Sequence, residues 1–298
     1  MGLSDKELMK ALKIDKQTLD RFRQIQKETI VEARRLVSKT NKKIRVLGIS
    51  GSARSKEDMA QEDSNSEMLL SACLGHCEKI GAAAEMIKLR DYKIEHCKAC
   101  YSTTNTQCHF YCSCYPKGTP AGDDMSNVLY GKIIDADIII FATPVNNFKI
   151  SSLMSLFIDR CISLDGSLKP ANPDFTKDRA LNIKHTKFVQ MNSDREVPGS
   201  GFLRRFAGKV AGIIVTGHEE GAALAISSLY MTLSHYGMIF APWSNVYAMA
   251  TVQNPTHEDK KFLNDKIYIN EVRDLAENSV SMAKLVKSKN WRYDYSSD

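Results

Sequence analysis

The chain has 298 residues with a formal net charge of +6, and 43% of them are hydrophobic. These values are typical of a globular protein large enough to bury a substantial core. Its basic residues are dispersed along the sequence, which argues against a nucleic-acid-binding arm. No apolar run is long enough to cross a membrane, and residues 1–13 lack the apolar region of a signal peptide. We therefore expect a cytoplasmic protein that binds neither nucleic acid nor a membrane.

The N-terminal segment, residues 1–42, precedes the first predicted strand. Its apolar residues recur at three- and four-residue spacing, which predicts helix over most of residues 4–40. We interpret the segment as a helical arm added to a main domain of residues 43–298. The arm lies over that domain or, in a second interpretation, packs on another subunit.

Five short apolar runs alternate with helical patterns in the main domain. They are Lys43–Ser50, Ala84–Leu89, Asp135–Pro144, Lys209–Thr216 and Met238–Pro242. Strands that alternate with helices pair in parallel through right-handed crossovers. The pattern predicts an α/β fold with a doubly wound parallel five-stranded sheet of order 2-1-3-4-5. In such a sheet the ligand lies at the carboxyl ends of strands one, three and four.

Two long irregular stretches interrupt this alternation. Residues 90–125 form a cysteine-rich loop, and loops of this length in compact domains are usually functional. Residues 165–208 are interpreted as an insertion with a short strand at Thr186–Met191. A final helix is predicted from Pro255 to Ser288.

The loop after the first strand has the chemistry of an anion site. The residues expected to contact the anion are Ser50, Ser52, Arg54, Ser64, Asn65 and Ser66. Ser64 and Glu67 have the spacing of a capping box at the start of a helix. The N–H groups and dipole of that helix favour a negative charge. Because neither Gly-x-x-x-x-Gly-Lys-Ser/Thr nor Gly-x-Gly-x-x-Gly is present, the loop suits a single terminal phosphate.

Four segments in the same order resemble the flavodoxin-like NAD(P)H-dependent FMN reductases. They are the Gly51–Arg54 turn with Ser64–Ser66, Asp123–Met125, Thr143–Asn146 with Ile158–Arg160, and Thr216–Gly221. The resemblance covers about residues 43–242. It implies a flavodoxin-like fold, bound FMN, NAD(P)H as co-substrate and a small-molecule electron acceptor. It also implies a homodimer or homotetramer.

The resemblance places the phosphate of FMN on the first loop and its ring on two others. The ring-binding residues it implies are Pro144, Val145, Asn146, Asn147, Phe148, Thr216, Gly217, His218 and Gly221. Asn146 stands where the family usually has an aromatic residue, and Phe148 is a candidate replacement. Hydride chemistry belongs to the flavin, so no catalytic side chain is assigned. Two further hypotheses concern arginines: Asp159–Arg160 forms an interface ion pair, and Arg204 and Arg205 meet the 2′-phosphate of NADPH.

A second signal is a cluster of five cysteines in the loop of residues 90–125. They are Cys97, Cys100, Cys108, Cys112 and Cys114. Clustered cysteines in a reducing compartment indicate metal or redox chemistry. A subgroup of the family, the iron–sulfur flavoproteins, holds a [4Fe-4S] cluster in this loop, and the resemblance implies one here. Zinc and free thiols remain alternatives, and either Cys112 or Cys114 is the fourth ligand.

Three functions follow from these features. The first is an oxidoreductase that uses NAD(P)H and FMN to reduce a quinone, a flavin or a similar small acceptor. The second is an iron–sulfur flavoprotein that relays electrons from a protein partner such as ferredoxin. The third is a zinc-stapled flavodoxin-like module without turnover.

Overall fold

The computed structural model describes residues 3–37, 43–59, 61–102, 106–172, 178–217, 221–249, 266–288 and 294–295. The helices are α1 (Asp5–Leu12), α2 (Lys16–Val37), α3 (Asn65–Lys79), α4 (Tyr130–Asp135), α5 (Ser152–Arg160), α6 (Arg179–Asn192), α7 (Ala222–His235) and α8 (Lys266–Lys287). The strands are β1 (Arg45–Ser50), β2 (Ala83–Lys88), β3 (Ile138–Asn146), β4 (Lys149–Ile150), β5 (Phe202–Leu203), β6 (Val210–Gly217), β7 (Ile239–Met249) and β8 (Asp294–Tyr295). Within these residues, no helix has the length and apolar character that crossing a bilayer requires.

The central sheet has the order β2-β1-β3-β6-β7, and these five strands are parallel. The predicted order is confirmed, since β6 and β7 are the fourth and fifth strands of the core. Short strand β4 folds back antiparallel on β3. This is the flavodoxin-like order, whose ligand crevice lies beyond the carboxyl ends of β1, β3 and β6.

Both faces of the sheet are covered, so its central strands are apolar on every side. Ile139 and Phe141 point to a core shared with α4, α5 and α7. Ile138 and Ile140 point to the opposite core, which α3 and α8 complete. The thiols of Cys73 and Cys77 are buried in the second of these cores, and that of Cys161 is buried in the first.

Two predicted strands differ clearly from the structure. Thr186–Met191 is not a strand but part of α6, because His185, Phe188 and Val189 recur at helical spacing and form one buried face. The last core strand extends to Met249, well beyond the predicted end at Pro242. Residues 255–265 of the predicted final helix lie outside the described residues, and the described helix begins at Lys266.

The N-terminal arm docks on the 165–208 insertion of its own chain. Leu8, Leu19 and Phe22 form a third core with Phe188 and Val189 of α6. The apolar stripe of the arm is therefore buried within one chain, which favours the first of the two interpretations. The division between arm and main domain stays a prediction.

Polar contacts reinforce this docking and correct one hypothesis. The Arg205 guanidinium is fully buried, and its Nε and Nη2 donate to the Glu32 carboxylate of α2 at 2.6 and 3.1 Å. The Nε of Arg204 donates to Asp165 at 2.8 Å. The hypothesis that these arginines bind NADPH is wrong, because both charges are already paired: Arg205 joins the insertion to α2, and Arg204 pairs with Asp165 inside the insertion.

We expect Phe22→Ala to destabilise the protein by about 3–5 kcal/mol, since the substitution leaves a cavity in the third core. The Phe22 ring is fully buried, with centroids 4.6 Å from His185 and 5.5 Å from Phe188. Urea unfolding measures the change. Val31→Ala on the exposed side of the same helix is the control and is expected to shift stability by less than about 0.5 kcal/mol. Equal effects of the two substitutions would contradict the docking of the arm.

Candidate functional site

The three loops named from the sequence meet at the carboxyl edge of the sheet. Ser50 at the end of β1 pairs with Ala142 of β3, and Pro144 of β3 pairs with Thr216 of β6. The pairing places the ends of three neighbouring strands side by side. The residues that follow them therefore line one crevice.

Direct contacts hold the first two loops together. The Gly51 N–H donates to the Ala142 carbonyl at 2.8 Å, and the Ser151 hydroxyl donates to the Gly51 carbonyl at 2.6 Å. The same hydroxyl caps α5 by accepting the Met154 N–H at 3.1 Å. A Cβ at position 51 would lie 2.8 Å from that of Met154, so only glycine allows this approach.

The second and third loops are equally close. A Cβ at Gly221 would lie 2.6 Å from Phe148 Cα, and one at Gly217 would lie 2.9 Å from Val145 Cβ. Thr216 is buried beneath them. His218 lies outside the described residues. The predicted ring-binding residues on either side of it are thus brought together.

The first loop presents a group of buried hydroxyls, contributed by Ser50, Ser52, Ser64 and Ser66. The Ser52 N–H donates to Ser50 Oγ at 3.3 Å, and the Arg54 N–H donates to Ser52 Oγ at 3.2 Å. The hydroxyls of Ser64 and Ser66 are 2.9 Å apart. Arg54 and Asn65 are half-buried at the same place. The six predicted phosphate ligands therefore lie along one continuous loop and helix start.

The predicted capping box at this helix start is wrong. Ser64 occupies the N-cap position of α3, but its side chain makes no capping hydrogen bond. Glu67 turns away from the cap, because Ser50 Oγ donates to its carboxylate at 2.7 Å and Arg90 pairs with the same group. The Ser64 side chain therefore leaves the N–H groups in the first turn of α3 uncapped. These N–H groups face the crevice, where they favour an anion.

The turn between β3 and β4 forms the opposite wall. Asn147 and Phe148 have φ values of 50° and 63°, as a two-residue hairpin with the right-handed twist requires. The Phe148 side chain is 55% exposed, and Asn146 and Asn147 are exposed beside it. An exposed aromatic side chain next to half-buried Pro144 offers a surface for a planar ring.

Helix α5 begins at this turn and ends in a buried ion pair. The Nη2 of Arg160 donates to Asp123 Oδ1 at 3.2 Å, and its Nη1 donates to the Glu95 carbonyl at 2.8 Å. Arg160 is 1% exposed, so the expected interface ion pair is replaced by a pair inside the chain. Asp159 is exposed and is not the partner.

The same ion pair anchors the cysteine-rich loop. The Arg160 guanidinium lies 4.4 Å from the centre of the Tyr115 ring, and the Tyr115 hydroxyl donates to the His96 carbonyl at 2.9 Å. Burial raises the pKa of Asp123, but hydrogen bonds from Arg160 and from backbone N–H groups outweigh it, and the net pKa is lowered. The carboxylate is therefore charged where the loop meets α5.

The five clustered cysteines are free thiols in this loop. Cys100 hydrogen-bonds to Cys108 and Cys114, and Cys112 hydrogen-bonds to Cys114. The bond to Cys108 is the largest cause that raises the pKa of Cys100 to about 11. The pKa values of Cys112 and Cys114 are also raised by neighbouring thiols and by burial. Burial and the nearby Cys97 raise the pKa of the Tyr101 hydroxyl.

Four of these thiols, those of Cys100, Cys108, Cys112 and Cys114, lie close to one another. Among the residues that the structure describes, no three His, Cys, Asp or Glu side chains have an arrangement that holds a metal ion. His109 is occupied elsewhere, since Nδ1 lies 2.5 Å from the Ser113 hydroxyl and Nε2 lies 2.7 Å from the Asn182 amide.

Sequence reasoning missed the roles of three residues of the site. Glu67 was expected only as a cap, and Arg90 had no signal because it follows β2, far from the first loop in sequence. Ser151 was missed for the same reason, although a serine before an apolar helical run is a recognisable N-cap.

We expect Asp123→Asn to cost about 3–5 kcal/mol at pH 7, because it leaves the Arg160 charge buried without its partner. The lowered pKa of Asp123 means that its contribution is present above the unfolded pKa and is lost as pH falls through the lower folded value. The stability difference from wild type should therefore shrink below about pH 4. Urea unfolding at pH 7 and below about pH 4 measures this difference in stability. Asp159→Asn, at an exposed position, is the control. A difference that stays constant with pH would contradict the assignment.

Comparison with known proteins finds similarity over the part of the chain that contains the first two loops. Residues 44–182 match the family model of NADPH-dependent FMN reductase. The iron–sulfur flavoprotein of Archaeoglobus fulgidus is 28% identical over 117 residues, which are 39% of this chain. The match spans about half the length of that relative, at 48%.

Similarity among solved structures concerns the fold. The crystal structure of RosB with the bound intermediate 8-demethyl-8-formylriboflavin-5′-phosphate superposes with a TM-score of 0.59. It is 18% identical, and the superposition covers 84% of this chain and 82% of RosB. The strand order and the superposition show a flavodoxin-like fold. Within it, residues 44–182 are similar to the NADPH-dependent FMN reductase family.

Proposed function

We propose that the protein is an FMN-dependent oxidoreductase that uses NAD(P)H to reduce a small-molecule acceptor. The observation that supports this most strongly is the group of buried hydroxyls at the start of α3. Ser64 and Ser66 are each 4% exposed or less, and the Ser64 side chain caps none of the N–H groups of the first turn. Buried donors beside a helix N-terminus fit a terminal phosphate.

The remaining loops fit the rest of the cofactor. Pro144–Phe148 would lie along the flavin ring, and Thr216, Gly217 and Gly221 would close the other side. FMN, when bound, would supply hydride acceptance and electron transfer. The chain's own groups bind and orient it, and backbone N–H groups near the ring would stabilise negative charge on the reduced form.

The acceptor site is expected on the exposed side of the same turn. Phe148 is more than half exposed and offers an aromatic surface beside the ring position. A flat molecule that stacks there would meet the flavin directly. A quinone, a free flavin, or a nitro or azo compound has this shape, and each accepts electrons without an acid–base residue of the protein.

We expect Ser64→Ala to weaken FMN binding about tenfold or more, because a hydrogen bond to a charged group contributes about 1.5–3 kcal/mol. Riboflavin lacks the phosphate, so its affinity should change little. Titration of apo-protein, followed by flavin fluorescence, measures both dissociation constants. Ser71→Ala on the exposed face of the same helix is the matched control. Equal losses for FMN and riboflavin would contradict the phosphate assignment.

A second candidate function is an iron–sulfur flavoprotein that takes electrons from a redox protein. Two observations favour it: the contacts among Cys100, Cys108, Cys112 and Cys114, and the similarity to the archaeal iron–sulfur flavoprotein. Among the described residues no three His, Cys, Asp or Glu side chains have an arrangement that holds a metal ion, so we derive no electron path through a cluster. A zinc-bound module is a third candidate on the same thiols.

Metal analysis and a visible spectrum of anaerobically purified protein separate these candidates. The proposed function predicts flavin bands that NADH or NADPH bleaches, with no stoichiometric iron or zinc. The second candidate would be established instead by a broad additional absorbance together with four irons per chain. Both signals should then be lost in the Cys112→Ser variant. Stoichiometric zinc without flavin uptake from added FMN would establish the third.

A further inference from the structure

A buried carboxylate lies directly behind the predicted phosphate site. Glu67 is 6% exposed, and its carboxylate accepts a hydrogen bond from Ser50 Oγ at 2.7 Å. Arg90 uses both terminal nitrogens to bind it, with Nη2 3.2 Å from Oε2. Lys88 Nζ lies 3.3 Å from the same oxygen.

This cluster joins three elements on the inner side of the crevice. Glu67 belongs to the first turn of α3, and Ser50 ends β1. Arg90 follows β2 in a short 3₁₀ turn, and its Nη1 lies 3.4 Å from the Ser52 carbonyl. The residues that would hold the phosphate, Ser52 and Ser64–Ser66, are therefore flanked by the Glu67–Arg90 pair.

The charge of Glu67 is a disadvantage at this position. A phosphate bound at the start of α3 would lie near a carboxylate of the same sign in a poorly solvated region, where repulsion is strong. Arg90 neutralises that charge by direct contact. The carboxylate can still accept the hydrogen bond from Ser50. Burial raises the pKa of Glu67, but Arg90, Ser50 and Lys88 outweigh this, so the net pKa is lowered and the carboxylate is charged.

We propose that Arg90 is a positioning residue for the flavin phosphate, which it serves by neutralising Glu67 and by fixing Ser50 and Ser52. The proposal rests on the proposed function, since it needs a phosphate at the first loop. It separates two roles for Arg90. A plain structural brace would support FMN and riboflavin alike, whereas charge neutralisation matters only for the ligand that carries the phosphate.

The test compares FMN with riboflavin on apo-protein by fluorescence titration. Arg90→Gln should weaken FMN binding at least tenfold and change the affinity for riboflavin less than about twofold. The reason is that only Lys88 then remains to neutralise the Glu67 charge beside the phosphate. Added salt should make the loss of FMN affinity in this variant smaller, because it screens the repulsion between Glu67 and the phosphate. Glu67→Gln in the Arg90→Gln background should restore most of the FMN affinity. Arg45→Gln, at the opposite end of β1, is the control and should change neither affinity.

The outcomes are distinguishable. Wild-type protein that does not bind FMN would overturn the proposed function itself. Wild-type binding with equal losses of FMN and riboflavin in Arg90→Gln would overturn the inference alone and leave Arg90 as a brace. If Arg90→Gln does not fold by circular dichroism, Glu67→Gln decides. Charge neutralisation predicts a higher FMN affinity relative to riboflavin in that variant, and a brace predicts weaker binding of both.

Discussion

The hydrogen bond from Ser50 to Glu67 determines the character of the site. Because Glu67 is held by Ser50 and Arg90, it does not fold back on the N-terminus of α3. A completed capping box would satisfy the N–H groups of the first turn with the protein's own side chains. The structure instead combines those N–H groups with the buried hydroxyls of Ser64 and Ser66. An anion is the partner that such a combination favours.

Helix α5 relates this site to the cysteine-rich loop. Its N-cap Ser151 bonds to Gly51 in the first loop, and its last residue, Arg160, binds Asp123 beneath the cysteines. Nine helical residues span about 13 Å, so the two regions are joined by one rigid element. Hydrogen bonds between neighbouring thiols are the largest causes that raise the pKa values of Cys100 and Cys114, and burial adds to them. Helix α5 thus connects the candidate phosphate site with the cysteine-rich loop.

The fold and the loop positions could be predicted from sequence because both depend on local patterns. The apolar runs of β1, β3 and β6 are continuous, and the strand order determines which loops meet. Thr186–Met191 was misassigned because apolar residues in a short window fit a strand as well as one face of a helix. Arg90, Arg205 and the partner of Arg160 could not be predicted, since each ion pair joins residues that are distant in sequence. The spacing of Ser64 and Glu67 indicated a cap, but competition from Arg90 is visible only in three dimensions.

The central claim is that the first loop and the start of α3 bind the phosphate of FMN. Amide hydrogen exchange with and without ligand tests it most directly, because exchange reports on the backbone N–H groups themselves. FMN should protect the amides of residues 51–54 and 64–67, and riboflavin should protect the turn at 144–148 but not those amides. Protection by FMN that omits residues 64–67, or equal protection there by riboflavin, would contradict the account.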